Sequence, residues 1–193
     1  MNVAIIGKGN VGSALARGLS HGDHEVQSVG NEPERVRQIA EVAEVIILAV
    51  PFGALDATVA ELGEAVDGKT VVDATNAIGK DGNLVLGFST SGGEELQKKM
   101  PSARVVKALN TVFARHMDTG KVDGAPLTVL IAGDDVDAKR KVVYLARSIG
   151  FDAVDAGPLR TARLLEPLAM LTIQLGYGLE MGTDIGFRLV RGG

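Results

Sequence analysis

Apolar and polar residues alternate in two rhythms along this chain. Short, mostly β-branched apolar runs at Asn2–Ile6, His24–Val29, Val45–Val50, Lys69–Asp73, Arg104–Leu109, Leu127–Ala132 and Phe151–Asp155 read as strands. Val45–Val50 is apolar at every position, as a central strand covered on both faces must be. Between these runs, Val11–Leu19, Leu55–Val66 and Asp134–Ile149 carry apolar residues at helical spacing. Strands alternating with helices imply βαβ units, and so an α/β fold with a doubly wound, mainly parallel sheet of Rossmann type. Ser91-Gly-Gly-Glu94 fits a capping box opening a helix that runs to about Met100, where Pro101 stops it. Asp134, Asp135 and Asp137 resemble a carboxylate cluster for a metal. They precede Lys139-Arg140-Lys141, however, and acids at a helix start with bases further on complement the helix dipole.

The end of the chain has a different pattern. Leu164, Leu168, Leu171, Leu175 and Leu179 form one helical face, with Ala169, Met170 and Ile173 on the others. A helix apolar nearly all round is expected to be buried, in its own core or against a partner. Pro167 would kink it or mark its start. Residues 1–155 are expected to form the sheet domain, and residues 156–193 a small helical segment packing on it, on a second subunit, or on both.

Composition narrows the functions. At roughly 150 residues per domain, 193 residues make one domain with an appendage. Twenty Lys and Arg against 24 Asp and Glu leave a net charge of −4, which offers no footprint for nucleic acid. Cysteine is absent, which excludes thiolate chemistry, and three histidines leave little material for a metal site. No run approaches the roughly 20 apolar residues that span a bilayer, and Met1 is not followed by a signal-peptide pattern. The expected location is cytoplasmic, with no membrane partner.

Gly7-Lys8-Gly9-Asn10-Val11-Gly12 matches G-x-G-x-x-G. In so glycine-rich a chain about 0.4 matches arise by chance, so the weight comes from context. The motif follows a strand and opens a helix, where a dinucleotide pyrophosphate requires a tight turn, close backbone approach and unpaired N–H groups. After the second strand, Asn31, Glu32 and Arg35 face the adenosine ribose. Glu32 suits the 2′-hydroxyl of NAD, Arg35 the 2′-phosphate of NADP, and Asn31 either, so the residues leave both nucleotides open. Arg35 is alternatively a solvated helix residue paired with Glu32 or Glu34. The other strand ends offer Ala49-Val50-Pro51-Phe52, Asp73-Ala74-Thr75-Asn76 and Asn110-Thr111-Val112-Phe113. Asn76 and Asn110 supply amides, Pro51 and Val112 apolar walls, while Phe52 and Phe113 could equally be core. No carboxylate pair, catalytic triad or poised lysine stands out. His21 and His24 lie at the far end of the first helix. His116 is near the proposed site, with a near-neutral pKa as its sole credential.

Three segments resemble the NADP oxidoreductases dependent on coenzyme F-420, an 8-hydroxy-5-deazaflavin. They are Val3-Ala-Ile-Ile-Gly-Lys-Gly-Asn-Val-Gly-Ser-Ala-Leu-Ala, Val105-Val-Lys-Ala-Leu-Asn-Thr111 and Asp155-Ala-Gly-Pro-Leu-Arg-Thr-Ala-Arg-Leu-Leu-Glu-Pro-Leu168. Metalloreductase domains of membrane proteins share the first pattern and the Lys-Ala-x-Asn-Thr segment. The resemblance implies that Gly7 to Gly12 hold the pyrophosphate and that Asn31, Glu32 and Arg35 occupy the 2′-phosphate pocket. It places Ala49, Val50 and Pro51, with Asn76 and Ala114, by the nicotinamide. Asn110, Thr111, Val112 and Phe113, with Gly157, Pro158, Leu159 and the last helix, would shape the deazaflavin pocket and a homodimer contact. Many relatives have Ser-Arg or Asn-Arg where this chain has Asn31-Glu32, and archaeal ones a His in place of Asn110. The implied reaction is ring-to-ring hydride transfer between NADP(H) and coenzyme F-420, with no catalytic acid or base assigned. The alternatives are a reductase of a small carbonyl or imine, or of another flavin or a metal, and a non-catalytic dinucleotide sensor.

Overall fold

The computed structural model describes residues 1–192. Its main sheet contains β1 (Asn2–Ile6), β2 (Glu25–Val29), β3 (Val45–Leu48), β4 (Thr70–Asp73) and β5 (Arg104–Lys107) as parallel neighbours. A two-residue hairpin, β6 (Lys121–Val122) and β7 (Ala125–Pro126), precedes β8 (Thr128–Gly133), and β9 (Asp152–Gly157) ends the sheet. The order is β2-β1-β3-β4-β5-β8-β9. From β1 the chain winds one way to β2, then crosses back to β3, so the carboxyl ends of β1 and β3 border the switch-point crevice of an open α/β sheet.

Helices α1 (Asn10–Ser20) and α5 (Val136–Ile149) cover one face; α2 (Pro33–Val42), α3 (Leu55–Leu62) and α4 (Gly92–Lys99) cover the other. Alternate strand residues serve the two layers. Ile5, Ile47 and Val72 pack with Leu15, Val142 and Leu145, while Ile6, Ile46 and Leu48 pack with Val36, Ile39, Leu62 and Leu96. Each such buried side chain contributes about 1.5–3 kcal/mol, which is why the continuous apolar runs become interior strands. The expected helix Leu55–Val66 is α3 as far as Leu62, followed by a 3₁₀ turn over Gly63–Val66. Ser91 caps α4, its hydroxyl accepting from the Glu94 N–H and donating to the Glu94 carboxylate. Asp135 caps α5 through the Ala138 N–H, Asp134 accepts from the Leu159 N–H, and Asp137 pairs with Arg140. The aspartates are spent on chain ends.

β8 runs antiparallel to β5, with Val106 opposite Gly133 and Lys107 opposite Ala132. Parallel neighbours need a crossover, usually a helix, and the stretch between them holds a 3₁₀ turn over Ala114–His116 and the hairpin instead. β9 pairs parallel with β8, and its last residue, Gly157, stands beside Ala132 and so level with Lys107 at the end of β5.

α6 (Ala162–Ile173) begins beside the start of α4, near the carboxyl end of β4, and is followed by a π turn over Gln174–Gly178. Pro167 lies inside α6. The Arg163 carbonyl that its missing N–H leaves open accepts from the Phe88 N–H of a surface loop. The leucine row is not the buried face. Leu164, Leu171 and Leu179 are exposed, and Ala162, Leu165, Glu166, Ala169 and Thr172 face inward. Small residues allow a close seat here: a Cβ on Gly93 would lie 3.5 Å from Leu159 and 3.6 Å from Ala162. Glu166 sets the rotation of the helix, as described below. No helix among the described residues is long and apolar enough to cross a membrane.

Candidate functional site

The glycine loop joins β1 to α1 at the switch point. The Gly7 N–H donates to the Val29 carbonyl at 2.8 Å, fixing the loop to the end of β2. Gly7 has φ +118°, and a Cβ there would stand 2.2 Å from the Ala49 carbonyl oxygen; on Gly12 it would stand 1.9 Å from the Gly7 carbonyl oxygen. These two glycines are required by the fold itself. Gly9 is different. It caps α1 with φ −72° and ψ −171°, ordinary for any residue, and a Cβ would have no heavy atom within 4 Å. The Ser13 N–H makes the first bond of α1, to the Gly9 carbonyl, so the N–H groups of Asn10, Val11 and Gly12 have no acceptor within the helix. The result is an open cradle lined by N–H donors at the positive end of a helix dipole, with the chemistry of an anion site.

Around the crevice, Ala49 and Val50 are half-buried and Pro51 exposed at the end of β3. At β4 and β5 two amides meet: Asn76 Nδ2 donates to the Asn110 carbonyl, and Asn110 Nδ2 donates to Asn76 Oδ1, both at 3.0 Å. Asn110 Nδ2 also reaches the Leu165 carbonyl of α6 at 3.1 Å. Leu109, just before it, is held at φ +68°. That conformation costs a residue with a Cβ about 1–3 kcal/mol, and it turns Asn110 back onto Asn76. Thr111 and Val112 are buried, and Val112 joins the α1-side core. Phe113 and Ala114, together with Asn10, Ser13, Arg17, Arg115, Tyr177 and Thr183, line a cleft of about 350 Å³ that starts at the glycine loop. Phe113 meets Tyr177 edge-on, with ring centroids 5.6 Å apart. Phe52 is half-buried at the other end of the β3 loop.

Other expected residues have different surroundings. Gly157 closes β9, level with Lys107 at the end of β5, and Pro158 and Leu159 follow it, with Leu159 beside the start of α4. Leu159 is core on the α4 side, and the Gly157 carbonyl accepts from Lys139. Arg35 pairs with neither Glu32 nor Glu34; it donates to Gln27 and Gln38. Asn31 and Glu32 are exposed beyond β2, and Glu32 lies 3.9 Å from the Lys8 ammonium. His116 is buried, its Nε2 against the Thr183 carbonyl at 3.1 Å and Asp184 at 3.3 Å, where it fastens the chain end beside the cleft. His24 contacts Ser148, away from the crevice.

A buried lysine between two carboxylates was not legible in the sequence. Lys107, Asp73 and Glu166 are all fully buried. The ammonium donates to Asp73 Oδ2 at 2.9 Å and to the Thr75 carbonyl at 2.7 Å, and stands 2.9 Å from Glu166 Oε1. All three ammonium protons are thereby used. Asp73 also accepts from the Thr75 N–H and hydroxyl, and Glu166 from the N–H groups of Gly92 and Gly93 at the start of α4. The network ties β4, β5, α4 and α6 together directly beneath Asn76 and Asn110. Its full burial makes it a support for the crevice floor. Nearby, Arg163 donates to both oxygens of Glu94 and holds its carboxyl below the usual glutamate range. Ser13, Arg17, Tyr177 and Thr183 were likewise missed; the spacing of Asn10, Ser13 and Arg17 along one helix face was their available signal.

Comparison with known proteins bears on this site. A family model described as NADP oxidoreductase, coenzyme F-420-dependent, matches residues 2–44 and 37–77. The F-420-dependent NADP reductase of Methanocaldococcus jannaschii is 31% identical over 157 residues, which are 77% of this chain and 70% of that protein. Metalloreductase STEAP3 of Rattus norvegicus is 33% identical over 184 residues, 88% of this chain, and the chain spans 37% of that protein's length. A solved chain from Arthrobacter sp. FB24, assigned as an F-420-dependent NADP reductase, superposes with a TM-score of 0.89 at 29% identity, covering 99% of this chain and 100% of that one.

Proposed function

Because the chain belongs to the family of the F-420-dependent NADP reductases, we propose that it moves a hydride directly between NADP(H) and coenzyme F-420. Gly9 is the observation that carries the nucleotide half. The fold tolerates a side chain there, and a pyrophosphate lying on the N–H groups of α1 does not. Asn10, Val11 and Gly12 supply those donors. Val50 and Pro51 form an apolar wall next to the switch point, and the Asn76–Asn110 pair offers amide groups on the β4–β5 side.

When bound, NADP supplies the carbon that gives or takes the hydride, and the deazaflavin is its redox substrate. The protein's own part is orientation and exclusion of water, and holding two reactants in near-attack geometry accounts for much of such a rate. The cleft walled by Phe113, Ala114 and Tyr177 suits the second ring, since it begins where the nucleotide loop ends. The 33% identity with a metalloreductase favours a second reading, in which the nucleotide serves another flavin or a metal acceptor. We also assign a cytoplasmic location and a homodimer joined through the outward leucines of α6.

The test is to add oxidised coenzyme F-420 to the purified protein with NADPH, and separately with NADH, following the deazaflavin visible absorbance. Bleaching supports the reading. No bleaching despite nucleotide binding refutes the deazaflavin as acceptor and favours the second reading.

A further inference from the structure

Lys8 sits between two glycines of the phosphate loop, yet its side chain leaves that loop. Its stem lies over Gly30, where a Cβ would come within 3.8 Å of Lys8 Cδ. The position is fixed from both sides. The Gly7 N–H is bonded to Val29 at the end of β2, and the Lys8 carbonyl accepts from the Ser13 hydroxyl at 3.0 Å. The ammonium therefore stands over the end of β2, where the adenosine ribose of a dinucleotide lies, 3.9 Å from Glu32. That distance is too long for a hydrogen bond. The two side chains are 53% and 63% exposed, so the pair is a loose association in water that opens at little cost. Arg35, the other cation of this segment, is engaged along β2 by Gln27 at 3.0 Å and by Gln38 at 3.2 Å.

We propose that Lys8 and Glu32 are an opposed pair that sets the choice between NADP and NAD. The proposal rests on the dinucleotide reading above. Lys8 draws the 2′-phosphate, for which a compact ammonium with three donors is well suited. Glu32 repels that phosphate and accepts from the 2′-hydroxyl of NAD. With both present, neither nucleotide is strongly excluded, and each residue removed tilts the balance the opposite way. This departs from the expectation that Lys8 serves the pyrophosphate and Arg35 the 2′-phosphate.

The experiment is a set of titrations with NADPH and with NADH at fixed ionic strength, using the wild type, Lys8→Ala, Glu32→Gln and the double variant. Both positions are exposed, and a thermal melt checks that each variant is folded. Lys8→Ala is expected to weaken NADPH about tenfold and NADH less than about threefold, with the NADPH loss shrinking as salt rises. Glu32→Gln is expected to tighten NADPH and weaken NADH, each by a few fold on the order of a surface charge contact. The double variant should return the ratio towards that of the wild type. Equal weakening of both nucleotides by Lys8→Ala would overturn the proposal and place Lys8 on the shared pyrophosphate. No change in either would also overturn it. A wild type that binds neither nucleotide would refute the dinucleotide reading itself, a failure separate from an unchanged ratio.

Discussion

Replacing Gly9 with valine separates what the fold needs from what a ligand needs. In the free protein the added Cβ meets no heavy atom within 4 Å, and φ is already −72°. An apolar helix cap in place of glycine costs about 0.5–1 kcal/mol. The stiffer unfolded chain returns about 0.4–1 kcal/mol, so stability should change by less than about 1 kcal/mol. Binding should change far more. Two charge-assisted N–H contacts to a pyrophosphate, at about 1.5 kcal/mol each, correspond to a loss on the order of 100-fold in affinity. Gly12→Ala is the contrasting control. Its Cβ would stand 1.9 Å from the Gly7 carbonyl oxygen, so it should lower the melting temperature before any ligand is added. The assay pairs a thermal melt of each variant with a calorimetric titration of NADPH. A Gly9→Val protein that binds within threefold of the wild type would falsify the cradle, and one that melts as early as Gly12→Ala would show that Gly9, too, is structural.

Three further outcomes follow. Lys107→Met leaves Asp73 and Glu166 buried without their cation and should cost about 3–5 kcal/mol in a denaturant melt; a loss below about 1 kcal/mol would mean that water enters the network. The Glu94 carboxyl is held below its ordinary value by Arg163, so its contribution to stability is complete above the ordinary glutamate range and disappears as pH falls through the lowered one. Glu94→Gln should accordingly flatten the acid limb of a stability–pH curve and leave the neutral plateau lower, while an unchanged limb would show that the pair persists on unfolding. Introducing glutamate at Leu164 and Leu171, 61% and 49% exposed, should shift a light-scattering mass from dimer to monomer with little change in secondary structure; a mass unaffected by both substitutions refutes that interface.

Most of the sheet was legible because each interior strand must be apolar on both faces, a local property of runs such as Val45–Leu48. The helix caps at Ser91 and Asp135 were legible because capping acts over three residues. What could not be read depends on distant partners. Lys107 ends the strand run Arg104–Lys107 and looks locally like a solvated residue, because Asp73 and Glu166 reach it from elsewhere in the chain. The same partnership misled the reading of α6. Drawing Glu166 inward to Lys107 and to the start of α4 turns the helix so that Leu164 and Leu171 face outward, although their spacing alone promises burial. The glycine string marked the loop but not the division of labour inside it; that appears only when Ala49 and Gly7 are seen to crowd two of the three positions.

The Lys107 network also has a consequence for how the protein is made. Translation emits β4 and β5 long before α6, so Lys107 leaves the ribosome with Asp73 already synthesised and Glu166 still to come. At about 5–20 residues per second the wait lasts several seconds. During it the central strands can pair, but the crevice floor beneath Asn76 and Asn110 lacks its second carboxylate, and the amide of Gly92 its acceptor. Until α6 arrives, Lys107 is matched in charge by Asp73 alone, one of its three donors and the N–H groups of Gly92 and Gly93 await Glu166, and the side of the sheet that α6 will cover stays open to other chains.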